Sequence, residues 1–302
     1  MVTDRIEIRT PRGFNFWRTV HSHGWCALPP FAVDKEDQSL ARVLELDGGQ
    51  LVQCNIRDRA QGIHVIIRSR TRLGVRQREQ IRDQLSECLR LNDDLSQFYA
   101  EANRSPKYRW IPREGAGRLL RAPSVFEDVV KMICTTNCSW ALTEHMVGNL
   151  TTMLGKSLGN GLCSFPSPAA LAGMSEAFVR KKIRAGYRSP YLLELATAVA
   201  DRKLDLESWR SSALPTEELF KVVKSVKGMG DYAAGNFLKL LGRYDYLGLD
   251  SWVRGQFFKL HSGGRRVKDA TIERQYRPYG KWKGLFFWLE MTREWYDQKF
   301  PF

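Results

Sequence analysis

LFKVVKSVKGMGDYAAGNFLKLLGRYDYLGLDSWVRGQFF, residues 219–258, is the stretch from which the fold is read. Its spacing predicts a helix ending near Val226, a tight hairpin at Lys227-Gly228-Met229-Gly230, and a second helix from Asp231 to Leu241 that Gly242 stops. Glycines at 228 and 230 let the backbone turn with positive φ and let a ligand approach without Cβ obstruction. The free amides at the start of the second helix then form a place for a phosphate, to which Lys227 adds a point charge. The same residues also suit an ordinary glycine turn between two core helices. Further on, Leu249-Asp250-Ser251-Trp252-Val253-Arg254 sets Asp250 at the start of another helix. A carboxylate there is stabilised as an anion by the helix dipole, and it is equally the commonest kind of N-cap.

Upstream, Ser124-Val125-Phe126-Glu127 has the spacing of a capping box and opens a helix running toward Asn137. Ser167-Pro168 and Ser189-Pro190 each read as an N-cap before a proline at the first helical position, and Pro215-Thr216-Glu217-Glu218 opens a helix with acidic residues in its first turn. The first third is different in kind. RVLELDGGQLVQCNI (42–56) is two alternating runs around Asp47-Gly48-Gly49, the pattern of a hairpin, and GIHVIIRSR (62–70) supplies another strand. From about Arg76 to Leu91, Ile81, Leu85, Cys88 and Leu89 fall at helical spacing and predict a helix covering one sheet face. Pro106, Pro112, Gly115 and Gly117 mark a connection to the helical part.

Length and composition narrow the class. The 302 residues are enough for one large domain or a few modest ones with their own cores. Six scattered cysteines fit neither a disulfide framework nor a zinc site, so a reducing compartment is expected. Cys134 and Cys138 are read as buried structural thiols, and His21 and His23 are given no metal role. No leader and no membrane-crossing apolar run is read, which predicts a soluble protein. The net charge of +14 is uneven: Lys and Arg number 19 against 15 Asp and Glu before residue 116, and 28 against 18 after it. The second part is therefore the expected face for a polyanion, although the same excess also serves solubility or an anionic membrane surface.

These segments together resemble the helix-hairpin-helix glycosylase superfamily, which includes the bacterial inducible 3-methyladenine glycosylase and the 8-oxoguanine glycosylases. Residues 219–258 resemble its hairpin motif, Gly/Pro-rich loop and catalytic aspartate. SVFEDVVKMICTTNCSW (124–140) is similar to the first core helix and following loop. FPSPAALAGMSEAFVRKKIRAGYRSPYLLELA (165–196) is similar to the segment with the "FPS…LA…GYR…Y" pattern, and PYGKWKGLFFWLEM (278–291) to the closing helix beside the base pocket. The likeness covers most of residues 115–295.

The resemblance implies an α+β protein: an N-terminal antiparallel sheet with helix, about 1–110, packed on an all-α core, 111–302, with the hairpin motif at about 216–242 and the aspartate loop at about 243–254. It implies that Asp250 stabilises the positive charge developing on the sugar, and that Lys227, Gly228 and Gly230 hold backbone phosphate. Asn137 matches the residue that intrudes into the duplex, and also suits a helix C-cap. Trp288 matches an aromatic that stacks on the extruded base, where a core role is the alternative. Tyr232 stands where bifunctional members carry a Schiff-base lysine, which tyrosine cannot replace, so hydrolysis without strand cutting is expected. Lys224, Lys227 and Lys239 lie nearby without matching that position. Carbonyls of Lys224, Val226 and Met229 match a monovalent-cation site; no other cofactor and no iron-sulfur cluster is expected. Gly284 stands where 8-oxoguanine enzymes have a base-reading glutamine. The expected activity is excision of damaged, chiefly alkylated, purines from double-stranded DNA by a monomer in a bacterial cytoplasm or a eukaryotic nucleus. An 8-oxoguanine-type enzyme and a noncatalytic DNA-binding relative are the alternatives.

Overall fold

The computed structural model describes residues 1–60 and 62–297. Strands β1 (Val2–Ile8), β2 (Phe31–Asp34), β3 (Ser39–Glu45), β4 (Leu51–Arg59) and β5 (Gly62–Ser69) form an antiparallel sheet in the order β1-β5-β4-β3-β2. The predicted hairpin is β3–β4, with Glu45 opposite Leu51 across the Asp47–Gly49 turn. Alternation buries Val52, Cys54 and Ile56 of β4 and Ile63, Val65 and Ile67 of β5 on one face. Strands β1 and β2 have no counterpart in the sequence reading, because β1 buries only Ile6 and Ile8 and β2 is four residues long.

Helix α1 (Val75–Leu89) adds Ile81, Leu85, Cys88 and Leu89, the periodic set read from sequence, to the core these strands share. The longer helices that follow are α2 (Ser96–Arg104), α3 (Val125–Thr135), α4 (Trp140–Leu154), α5 (Ser189–Ala200), α6 (Thr216–Lys224), α7 (Asp231–Leu240), α8 (Ser251–His261), α9 (Asp269–Tyr276) and α10 (Lys283–Met291). The α+β class agrees with expectation.

Helix α3 runs through the centre, and its N-terminus corrects the sequence reading. Ser124 accepts the Glu127 amide as an N-cap should, but the Glu127 side chain does not return to complete a box. It is buried between Arg42 of β3, at 2.5 Å, and Lys131, one turn along α3, at 2.7 Å. Glu207, remote in sequence, instead accepts the amides of Val125 and Phe126, the first two of the helix. The central triad therefore ties sheet to helices. Burial alone would raise the Glu127 carboxyl, yet the Arg42 and Lys131 charges outweigh it and hold it below the usual carboxylate range. A smaller correction concerns Ser189, which is the first residue of α5 with Arg188 as its cap.

Among the described residues no helix is long and apolar enough to cross a membrane.

Candidate active site

Helix α6 ends at Lys224, two residues before the expected stop, and Gly228 makes the turn with φ +90°. That glycine is doubly required, because a Cβ there would also lie 3.1 Å from the Tyr191 ring and 3.3 Å from Ile133. Gly230 corrects the sequence reading. Its φ of −67° is open to any residue, and nothing stands within 4 Å of where its Cβ would be. It is the N-cap of α7, and it has no side chain to hydrogen-bond the first amides. An anion fits there. Lys227 and Lys224 at this end are engaged with Glu194 and Asp231, both exposed pairs of the kind that exchange partners at little cost. Lys224 and Val226 lie where a helix C-terminus leaves carbonyls without helical partners, and the Val226 carbonyl takes the Met229 amide at 3.0 Å. Carbonyls at the negative end of a helix dipole suit a monovalent cation.

Beyond the hairpin, Asp250 caps α8, its Oδ1 accepting the Val253 amide at 2.8 Å. The cap and the site are not alternatives. The bond that satisfies the helix also orients the carboxylate, and Asp250 lines a cavity of about 390 Å³, within the range of about 300–1,000 Å³ for small-molecule sites.

That cavity is assembled from distant segments. Helix α7 presents Tyr232, Asn236 and Lys239, at i, i+4 and i+7 on one face. Trp252, Trp288 and Trp295 form an aromatic cluster, with Trp288–Trp295 edge-on at 5.7 Å and Trp252–Trp295 tilted at 4.8 Å. The Trp288 indole is fixed by donating to the Ser22 carbonyl at 3.1 Å, so its position in the wall is preorganised. Burial, reinforced by the charge of Asp250, raises the Tyr232 phenol, with Thr135 acting in the opposite sense.

The segment His23-Gly24-Trp25 also lines the cavity, which no local pattern revealed. Trp25 is held by its indole donating to Asp128 at 2.7 Å. A Cβ at Gly24 would run into the Trp140 ring, which lies directly over that glycine. His23 donates from Nε2 to the Leu120 carbonyl at 2.5 Å, and burial pushes its pKa down to about 3, so the ring is neutral.

Asn137 lies between Thr135 and Cys138, both of which line the cavity, yet its own side chain is exposed. It follows α3 with φ +46°, and its Nδ2 is 3.5 Å from the Tyr187 hydroxyl. Arg188 steadies this tip by donating to the carbonyl and hydroxyl of Thr136. Cys138 donates to the Cys134 carbonyl, and burial pushes the Cys134 thiol up to about 12. Among the described residues no group of three or more His, Cys, Asp or Glu side chains is placed to hold a metal ion.

The fold has counterparts among known structures. The 3-methyladenine DNA glycosylase of Archaeoglobus fulgidus matches 97% of this chain over 99% of its own, with a TM-score of 0.74 at 20% identity. The chain has the helix-hairpin-helix DNA glycosylase fold. The apo 8-oxoguanine glycosylase/lyase of Clostridium acetobutylicum matches 95% of this chain and 96% of its own, with a TM-score of 0.69 at 19% identity. That enzyme's complex with double-stranded DNA containing cytosine opposite 8-oxoguanine matches with a TM-score of 0.63. In sequence, the probable N-glycosylase/DNA lyase of Methanothermobacter thermautotrophicus is 23% identical over 224 residues, 67% of this chain and 70% of its own length. No family model matches the chain.

Gly284 is held by close backbone packing. Its amide donates to the Tyr244 carbonyl at 2.6 Å, and a Cβ there would strike the Tyr246 carbonyl. The residue is buried in the contact between α10 and the loop before Asp250, outside the cavity lining. Glycine at 284 serves close packing.

Proposed function

We propose that the protein is a DNA N-glycosylase of base excision repair, which extrudes a damaged purine from double-stranded DNA into the tryptophan-lined cavity and breaks its glycosidic bond at Asp250. One observation carries the reading: a cap-fixed carboxylate borders a base-sized aromatic cavity, next to a hairpin whose uncapped amides suit a phosphate. A base stacked inside the duplex is inaccessible, so extrusion is required, and an oriented anion stabilises the oxocarbenium-like charge left on the sugar. Asn137, exposed at its tip, fills the gap in the stack. The hairpin carbonyls of Lys224, Val226 and Met229 hold a monovalent cation that fixes the turn. The names of the fold relatives, two of them glycosylases of damaged purines, support the same class.

Aromatic walls suit the flat face of a damaged purine. A second reading, an enzyme of the 8-oxoguanine type, is favoured by the buried amine of Lys239 in the same cavity. Duplexes each bearing one lesion, incubated with the protein and then treated with alkali, decide the matter. At least one damaged purine is released; release of none, by protein that binds duplex DNA, removes the enzymatic reading and leaves a DNA-binding protein.

With Tyr232 in the position of the Schiff-base lysine, water completes the reaction. The expected product is an intact strand with an abasic site, cut only by added alkali, and borohydride traps no covalent protein–DNA adduct. A lesion-dependent adduct with spontaneous strand cleavage would show that an amine has taken the role.

For the hairpin, Gly230→Phe is the informative change, because its Cβ meets nothing in the protein. We expect an unchanged circular dichroism spectrum and weaker binding to lesion-bearing and undamaged duplexes alike, since a phosphate contact carries no base information. Equal affinity of Gly230→Phe and wild type for both duplexes would return the hairpin to a simple turn.

A further inference from the structure

Resting on the glycosylase reading, we propose that Lys239 reads the extruded base: its ammonium donates a hydrogen bond to an acceptor on the base edge, selecting uncharged, carbonyl-bearing damaged purines over ring-nitrogen-alkylated, cationic ones.

Lys239 sits two turns beyond Tyr232 on the cavity face of α7, so its side chain belongs to the same wall as Tyr232 and Asn236. The residue is only 3% exposed. Its Nζ has no hydrogen-bond partner among the described residues. Its nearest compensation is the face of Trp288, whose ring centroid lies 4.1 Å away. A ring face attracts the charge but offers no acceptor lone pair to the N–H donors of an ammonium, and a buried charge without such acceptors is costly. Such a group is retained where something else supplies the acceptor. The cavity is where that acceptor can come from, because Lys239 is part of its lining.

The charge balance points the same way. Burial lowers the amine to about 8, with Asp250 opposing, which leaves it protonated at neutral pH. Tyr232 is raised and so supplies no anion to offset the ammonium, while His23, held neutral by burial, adds no second cation. Asp250 is the one carboxylate among the described lining residues, and in the proposed reaction its charge faces the sugar. A purine carrying its own positive charge would then meet a second cation in a water-poor cavity. An uncharged purine with an exocyclic oxygen would instead complete the missing hydrogen bond. As the glycosidic bond breaks, its electron pair moves onto the base, and the same ammonium stabilises the negative charge that arrives there.

The test compares wild type with Lys239→Met, which keeps the length of the side chain and removes charge and donors. Removing a buried, unpaired charge does not endanger folding, and circular dichroism with affinity for an undamaged duplex checks this. Single-turnover base release is measured on duplexes bearing 8-oxoguanine or hypoxanthine, both uncharged, and 7-methylguanine, which is cationic. Wild type releases an uncharged base faster than 7-methylguanine. Lys239→Met lowers that release by on the order of 10²–10³-fold and moves the preference toward 7-methylguanine. Faster release of 7-methylguanine by wild type, or an unchanged preference in Lys239→Met, overturns the proposal. So does a borohydride adduct formed by wild type and lost in Lys239→Met, which would make the amine a nucleophile at the sugar. Absence of release from every duplex by both proteins instead overturns the glycosylase reading on which the proposal stands.

Discussion

Asp250→Asn is expected to lower single-turnover base release by about 10²–10³-fold, the cost of removing one oriented electrostatic group from a preorganised site, while DNA affinity stays close to wild type. The structure makes this substitution cleaner than it is at most aspartates. Asparagine is as good an N-cap as aspartate, so the bond to the Val253 amide survives, and with it the start of α8. What disappears is the charge. Asp250→Ala removes both the charge and the cap, and should cost about 1 kcal/mol of stability in addition. The pair therefore separates electrostatics from architecture: equal loss of release in both variants, with lower stability only in the alanine variant, assigns the catalytic effect to the anion. Near-wild-type release by Asp250→Asn would place the chemistry on another residue.

Glu127→Ala is expected to have the largest effect on stability, about 3–5 kcal/mol, because it leaves Arg42 and Lys131 buried with no counter-charge. Urea unfolding followed by circular dichroism reads this as a lower midpoint at unchanged slope. The effect depends on pH with a definite sign. The folded-state carboxyl is held below its ordinary value, so its stabilising contribution is present at neutral pH, above the unfolded value, and fades as pH falls through the folded one. The gap between wild type and Glu127→Ala should narrow on acidification. Replacing all three members by apolar residues of similar size should cost far less than removing Glu127 alone. A loss below 1 kcal/mol in Glu127→Ala would show that the triad does not hold sheet to helices.

Signals that act within a few residues were legible. The periodicity of Ile81, Leu85, Cys88 and Leu89, the turn at Asp47–Gly49, the caps at Ser167 and Asp250, and the two helices flanking Gly228 all follow from propensity and hydrogen bonding along the chain. The resemblance built on those signals led to the same fold that the structure shows. What escaped was decided by long-range contacts. Glu127 has the right spacing for a capping box, but Arg42, brought in by the sheet, is a stronger partner than a local amide. Gly284 was read as a missing base contact when its backbone is pressed against residues 244–246. Lys239 drew attention only as a nearby amine. Its significance lies in desolvation and in the Trp288 ring above it, and neither exists until folding brings Trp288 over Lys239. His23, Gly24 and Trp25 reach the cavity from the far end of the chain, with no motif to announce them.

The tryptophan content acquires a practical meaning from where those residues sit. Of the nine tryptophans in the chain, Trp25, Trp140, Trp252, Trp288 and Trp295 border the cavity. Ultraviolet emission from the unlabelled protein is thus weighted toward this cavity, and a purine entering it as proposed would change the surroundings of most of the fluorophores at once. The wall proposed to receive a base would double as an optical reporter, so occupancy can be followed in real time without attaching a dye to protein or DNA.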